Sequence, residues 1–277
     1  MKKHSKLLLL PILSALFTLG VASCGSTPNG NTGGDIPLPE VDDPDKDIPT
    51  VEFDESDFVS HGSLGGFLID IDAHLLLAEN HDYLCSFSPS TTSDGQITFR
   101  VAKGDSISII ESNGTEFKIH GKAIGDSVLQ IYDSMENLVY RNIIRVRKAY
   151  SSSEVIKACY DNDVYRGYKM CGNHRMTFLN SETVSSVQLR GNDDYEQNIN
   201  LIFSATYQGY IEASDLYEYS CEITDNPNGS QTKITYLYIN STASEIKCFY
   251  RVGGEDHIFS IFVAAKYAKY YQNGFLY

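Results

Sequence analysis

From Asp82 onward the chain is built of short runs in which every second residue is apolar. In "DYLCSF", Tyr83, Cys85 and Phe87 share one face; in "QITFRV", Ile97, Phe99 and Val101 do. "SISII", "EFKIHG", "VLQIYD" and "NIIRVR" continue the series to residue 147. Successive side chains of a strand point to opposite faces, so this period marks strands with one buried face. Turn cues separate the runs: Pro89-Ser90, Asp94-Gly95, Gly104-Asp105, Asn113-Gly114 and Gly125-Asp126. Asn-Gly between alternating runs is a hairpin signal, because both residues accept positive φ. Short strands at regular spacing, with no helical period between them, predict an all-β sandwich or barrel.

The second half repeats the pattern after one interruption. "SSSEVIKACY" reads as a short helix, with serines ahead of Glu154 and Val155, Ile156, Cys159 and Tyr160 on one apolar face. "HRMTFL", "SSVQLRG", "NINLIFSATYQGYIE", "YEYSCEIT", "KITYLYIN", "SEIKCFYRV" and "HIFSIFVAAKY" are seven strand candidates. Turns at Gly191-Asn192, Asn226 to Gly229 and Gly253-Gly254 separate several of them. The expectation is a second antiparallel sandwich or small barrel over residues 150–277; a lipocalin-like barrel is one topology that fits. The two halves differ in composition, since 16 of the 19 tyrosines fall at or after residue 150.

Residues 51–149 resemble a bacterial immunoglobulin-like domain of the Big-2 type. The residues that carry the resemblance are the aliphatic run Leu75 to Ala78, the strand ending "FSPSTTSDGQITF", "SISIIESNG", "GKAIGDSVLQIYD" and the closing "NIIRVR". Phe99 stands where that family often has Trp. The resemblance implies an Ig-like β-sandwich of about 80 residues acting as a stalk or adhesive module, although fold alone does not fix function.

The amino terminus reads as an export signal. Lys2, Lys3 and Lys6 form a positive n-region and Leu7 to Leu19 an apolar core that is short for a membrane span and holds Pro11. Val21-Ala22-Ser23-Cys24 resembles the lipobox of bacterial lipoproteins. That resemblance implies cleavage after Ser23, a diacylglyceryl group on Cys24, and lipid anchoring on the extracytoplasmic face of the cell membrane. Loss of residues 1–23 removes three Lys and no acid, taking the net charge from -14 to -17. Residues 24–50 then form a tether: after Cys24 they hold five Pro, four Gly and six acids against one Lys, a composition that stays extended and unpacked.

Function is less legible. Strong acidity excludes nucleic acid as a partner. No nucleophile elbow, HExxH, phosphate loop or CxxC occurs, so neither catalysis nor a cofactor is expected. Asp70, Asp72 and His74 would share one face of a strand, but such a polar row is what an edge strand presents, and no metal is assigned to it. Tyrosine either packs half-buried in strands or offers a ring and a hydroxyl to a protein or glycan. Tyr207, Tyr210 and Tyr217 are the candidate contact residues. Cys221 and Cys248 sit on alternating apolar faces and could bridge if their strands adjoin. The expected role is a non-catalytic binding or adhesion module anchored at the cell surface. The alternatives are an envelope hydrolase with its site in the second module, or a pure scaffold.

Overall fold

The six alternating runs of the first half become six strands, and three short ones precede them among the described residues. These are β1 (Val59–Ser60), β2 (Leu68–Asp70), β3 (Leu76–Ala78), β4 (Asp82–Ser88), β5 (Ile97–Lys103), β6 (Ile107–Asn113), β7 (Glu116–Gly121), β8 (Gly125–Asp133) and β9 (Leu138–Arg147). The computed structural model describes residues 46–54, 58–60, 68–70, 76–88, 97–113, 116–168, 174–182, 186–191, 198–251 and 258–270. The export signal, Cys24, the tether before residue 46, and Asp72 and His74 lie outside those residues.

Two sheets face one another. One runs β1-β9-β8-β5, with β3 parallel to β9; the other runs β2-β4-β7-β6. The Asn-Gly cue marks a real hairpin, for Asn113 of β6 pairs with Glu116 of β7. Cys85, Phe117 and Ile119 from one sheet meet Leu129, Ile131 and Ile144 from the other, all at 2% exposure or less. Between β5 and β6, Gly104 has φ +75°, and a Cβ there would stand 2.1 Å from the Asp126 carbonyl oxygen, so only glycine fits. Close by lies a buried ion pair: Arg147 Nη1 donates to Asp126 Oδ1 at 2.9 Å, with both side chains 4% exposed.

The second half opens with helix α1 (Val155–Asp161). The Glu154 carboxylate accepts the Ser151 backbone N–H at 3.0 Å and its hydroxyl at 2.7 Å, the glutamate half of a capping box. Eight strands follow: β10 (Val164–Tyr168), β11 (Arg175–Phe178), β12 (Val187–Gly191), β13 (Ile199–Ile211), β14 (Leu216–Asp225), β15 (Lys233–Asn240), β16 (Glu245–Arg251) and β17 (Ile258–Ala264). Each pairs antiparallel with the next, and β17 pairs back onto β10, so the sheet closes into a barrel. The protein is therefore all-β with one short helix, and its second module is a barrel rather than a sandwich. The strand that closes the barrel, β10, is the one that alternation did not predict.

Side chains just fill the interior of an eight-stranded barrel. Tyr165, Met176, Leu201, Phe203, Leu237 and Phe262, all fully buried, do so here. Helix α1 covers one end: Val155, Ile156, Ala158 and Cys159 join the interior cluster. Asn162 Nδ2 and Tyr165 Oη both donate to the Ala243 carbonyl at 2.6 Å. Among the described residues no helix is long and apolar enough to cross a membrane.

Candidate functional site

The β13–β14 hairpin outgrows the barrel wall. β12 pairs with β13 only as far as Phe203, whereas β13 continues to Ile211 against β14. Along this extension Tyr207 faces Tyr219 and Tyr210 faces Tyr217. Residues three apart on a regular strand point to opposite faces. Here the register shifts between Tyr207 and Gly209, and that bulge brings Tyr210 back to the side of Tyr207. Gln208, the extra residue, ties the bulge down: its side-chain amide donates to Ser220 Oγ at 2.8 Å and to the Thr206 carbonyl at 3.1 Å.

The result is one tyrosine cluster. Ring centroids are 4.9 Å apart for Tyr210 and Tyr217, 5.6 Å for Tyr207 and Tyr219, and 6.3 Å for Tyr207 and Tyr217. Tyr219 and Tyr217 form its buried floor, at 1% and 8% exposure, and Tyr207 and Tyr210 its outer surface, at 47% and 40%. The three tyrosines singled out from the sequence are thus brought together, but Tyr217 offers little to solvent: its hydroxyl donates to the Tyr150 carbonyl at 2.8 Å.

At its turn the hairpin meets β4. Asp215 is 2% exposed and sits in the left-handed region with φ 51°, a conformation seldom adopted outside glycine. Its carboxylate accepts the Tyr83 hydroxyl at 2.5 Å and the Tyr210 hydroxyl at 3.0 Å. The Tyr83 oxygen in turn accepts the Ala78 backbone N–H at 2.8 Å. His81 Nε2 lies 3.0 Å from the Glu212 carbonyl oxygen, and His81 Nδ1 lies 3.2 Å from Tyr210 Oη. Burial, and after it the Asp215 charge, pushes the hydroxyls of Tyr83, Tyr210 and Tyr217 up. They remain O–H donors across the physiological range. Tyr219, Asp215, His81 and Tyr83 are members that the sequence did not single out. His81 is 129 residues from Tyr210 and Tyr83 132 from Asp215, and no local pattern links them to the hairpin.

The arrangement offers the ring faces of Tyr207 and Tyr210 on a base tied by Asp215. Away from the cluster, a concavity of about 410 Å³ lies between β5 and β6 and is floored by Phe99, Val101, Ile107 and Ile109. Across its rim Lys122 Nζ bonds Asp105 Oδ1 at 2.6 Å.

The bridge allowed between Cys221 and Cys248 is not formed; both are thiols. Cys221 is on β14 and Cys248 on β16, with β15 between them. Two strand spacings are about 10 Å, beyond the Cα separation a disulfide spans. Burial pushes the Cys221 thiol up to about 12 and raises that of Cys248 well above its ordinary value, so both stay protonated.

No protein-family model matches the chain, and no curated protein matches it. Among solved structures, domains 5-6 of the S-layer protein SbsC are similar at 11% identity, over 71% of this chain and 94% of that chain, with a TM-score of 0.27. A likeness of that size transfers neither fold nor function.

Proposed function

We propose that this chain is a bacterial lipoprotein held at the cell surface through Cys24, with a Big-2-type spacer and a barrel that contacts an extracellular protein or glycan through its β13–β14 hairpin. The reading is of a binding module without catalysis. The observation that carries it is the bulge that turns Tyr210 to the side of Tyr207, leaving two rings about half exposed above a buried aromatic floor. Exposed aromatic rings backed by packed neighbours are what protein and sugar contact surfaces use, since they add contact area at little entropic cost.

Two measurements test the two parts. For the anchor, cells expressing the chain are labelled with radioactive palmitate. Label should enter the wild type and be absent from Cys24→Ala, and equal labelling would sink the anchor. For the contact surface, the full chain in detergent is applied to arrays of glycans and extracellular-matrix proteins. A saturable hit lost in Tyr207→Ala and Tyr210→Ala is the expected result. A hit indifferent to both changes would place the contact elsewhere.

A further inference from the structure

β13 has two edges over its last eight residues, and among the described residues only one is paired. From Ser204 to Ile211 the inner edge pairs with β14, while β12 has stopped at Phe203. No other described strand pairs with that outer edge. An open row of N–H and C=O groups is a template for a further strand, and proteins usually guard such rows with Lys or Pro. The segment "SATYQGYI" contains neither, and no charge at all. About eight residues of open edge extend some 27 Å, enough for a peptide of similar length.

The charges set behind this edge are all of one sign. Between Ser204 and Asp225 the hairpin has Glu212, Asp215, Glu218, Glu222 and Asp225, and no Lys or Arg. Asp215 is spent on Tyr83 and Tyr210. Among the described residues the other four form no ion pair. Glu218 lies across from Gly209 and Glu222 across from Ser204, one strand in from the edge. The residues in between are small, and a Cβ built on Gly209 meets nothing within 4 Å. A long cationic side chain on an added strand could reach over them to both carboxylates. On the opposite face the strand's intervening apolar side chains would pack on the exposed rings of Tyr207 and Tyr210.

We infer that the open edge of β13 takes up an extended peptide segment carrying Lys or Arg at alternate positions, added to the sheet as a further strand. The inference rests on the proposed binding role and names its partner: a cationic protein segment rather than a glycan. Main-chain bonds would supply affinity, Glu218 and Glu222 would select the cationic positions, and the two rings would receive the apolar residues between them.

The test uses the full chain in detergent and three synthetic octapeptides: acetyl-(Lys-Val)4-amide, its analogue N-methylated at every second residue, and acetyl-(Glu-Val)4-amide. Saturable binding of the first is expected, weakened about tenfold or more by N-methylation because several main-chain bonds are lost. The glutamate peptide should not bind. The double variant Glu218→Gln/Glu222→Gln should weaken the lysine peptide severalfold, roughly threefold to tenfold for exposed pairs. Equal binding of the N-methylated peptide would overturn strand addition, and no saturation up to about 1 mM would overturn the partner class. The peptide arms leave the protein unaltered, so misfolding cannot mimic a loss. Failure here alongside a tyrosine-dependent glycan hit would leave the binding role standing and remove only the peptide.

Discussion

The sandwich and the barrel treat their edges in opposite ways. The sandwich cannot avoid edges, and it guards two of them. β5, the last strand of one sheet, exposes Arg100 and Lys103 and is bulged between Val101 and Lys103. β6, the last strand of the other, carries Glu111 and is bulged between Ile109 and Glu111. The barrel closes β10 onto β17, and among the described residues the longest stretch paired on one side only is the part of β13 that outgrows β12, with a shorter one on β14 beyond Ser220. The β13 stretch has a bulge but no charge, and its bulge gathers two tyrosines on one side. Closure alone would have removed this edge, had β12 paired along the eight residues from Ser204 to Ile211. The difference separates edges that a fold must tolerate from an edge that is kept open.

The two modules also differ in what they bury, and the largest predicted effect breaks that contrast. The sandwich holds Asp126 against Arg147 out of solvent, with Arg145 Nε 4.0 Å from the same carboxylate. Asp126→Ala would strand buried positive charge. Loss of one partner of such a pair costs about 3–5 kcal/mol, and urea unfolding should register a drop of that size. A drop below about 1 kcal/mol would mean that water reaches the site and the pair is not a core feature. The barrel's counterpart is the junction at Asp215. Tyr83→Phe removes one of the two hydroxyls on that buried carboxylate and the acceptor for the Ala78 N–H. About 1–3 kcal/mol should be lost, and calorimetry should resolve the two modules into less coupled transitions. An unchanged single transition would show that the junction contributes nothing to their cooperation.

These contrasts were unequally legible from residues alone. Alternation located the strands, since period 2 is set within a few neighbours. It missed β10, whose five residues "VYRGY" include Arg and Gly and which is held by partners on both sides, β11 and β17. It could not give sheet order, so Cys221 and Cys248 looked bridgeable until β15 was found between them. Tyr207, Tyr210 and Tyr217 were identifiable as tyrosines on one run and its neighbour. The bulge that groups them, and the Tyr150 carbonyl that draws Tyr217 inward, are tertiary facts.

A smaller change sharpens the edge comparison directly. Thr206→Lys gives β13 the guard that β5 already carries. Thr206 is exposed, so stability should move by no more than about 0.5 kcal/mol. Uptake of the lysine octapeptide should nevertheless fall, through repulsion and obstruction together. Undiminished uptake at unchanged stability would mean that the open edge is not where the peptide sits.

The smallest expected effect comes from acid, and it puts matched carboxylates in the two modules side by side. Asp133, in the β8–β9 turn, is held below the usual carboxylate range first by the Asn137 side-chain amide, then by the backbone N–H groups of Asn137 and Met135. Glu154, ahead of α1, is held low first by the Ser151 backbone N–H, then by the Ser151 hydroxyl and the Lys148 charge. Both folded values are depressed, so each group stabilises its module above the unfolded value of about 4 and loses that contribution as pH falls through its folded value. Asp133→Asn and Glu154→Gln should each lower the urea midpoint at about pH 6, and the gap to the wild type should narrow by about pH 3. A gap that stays constant between the two conditions would show that neither carboxylate acts through its charge. If Asp133→Asn alone closes its gap, the turn of the sandwich is acid-sensitive and the helix over the barrel end is held by its buried face.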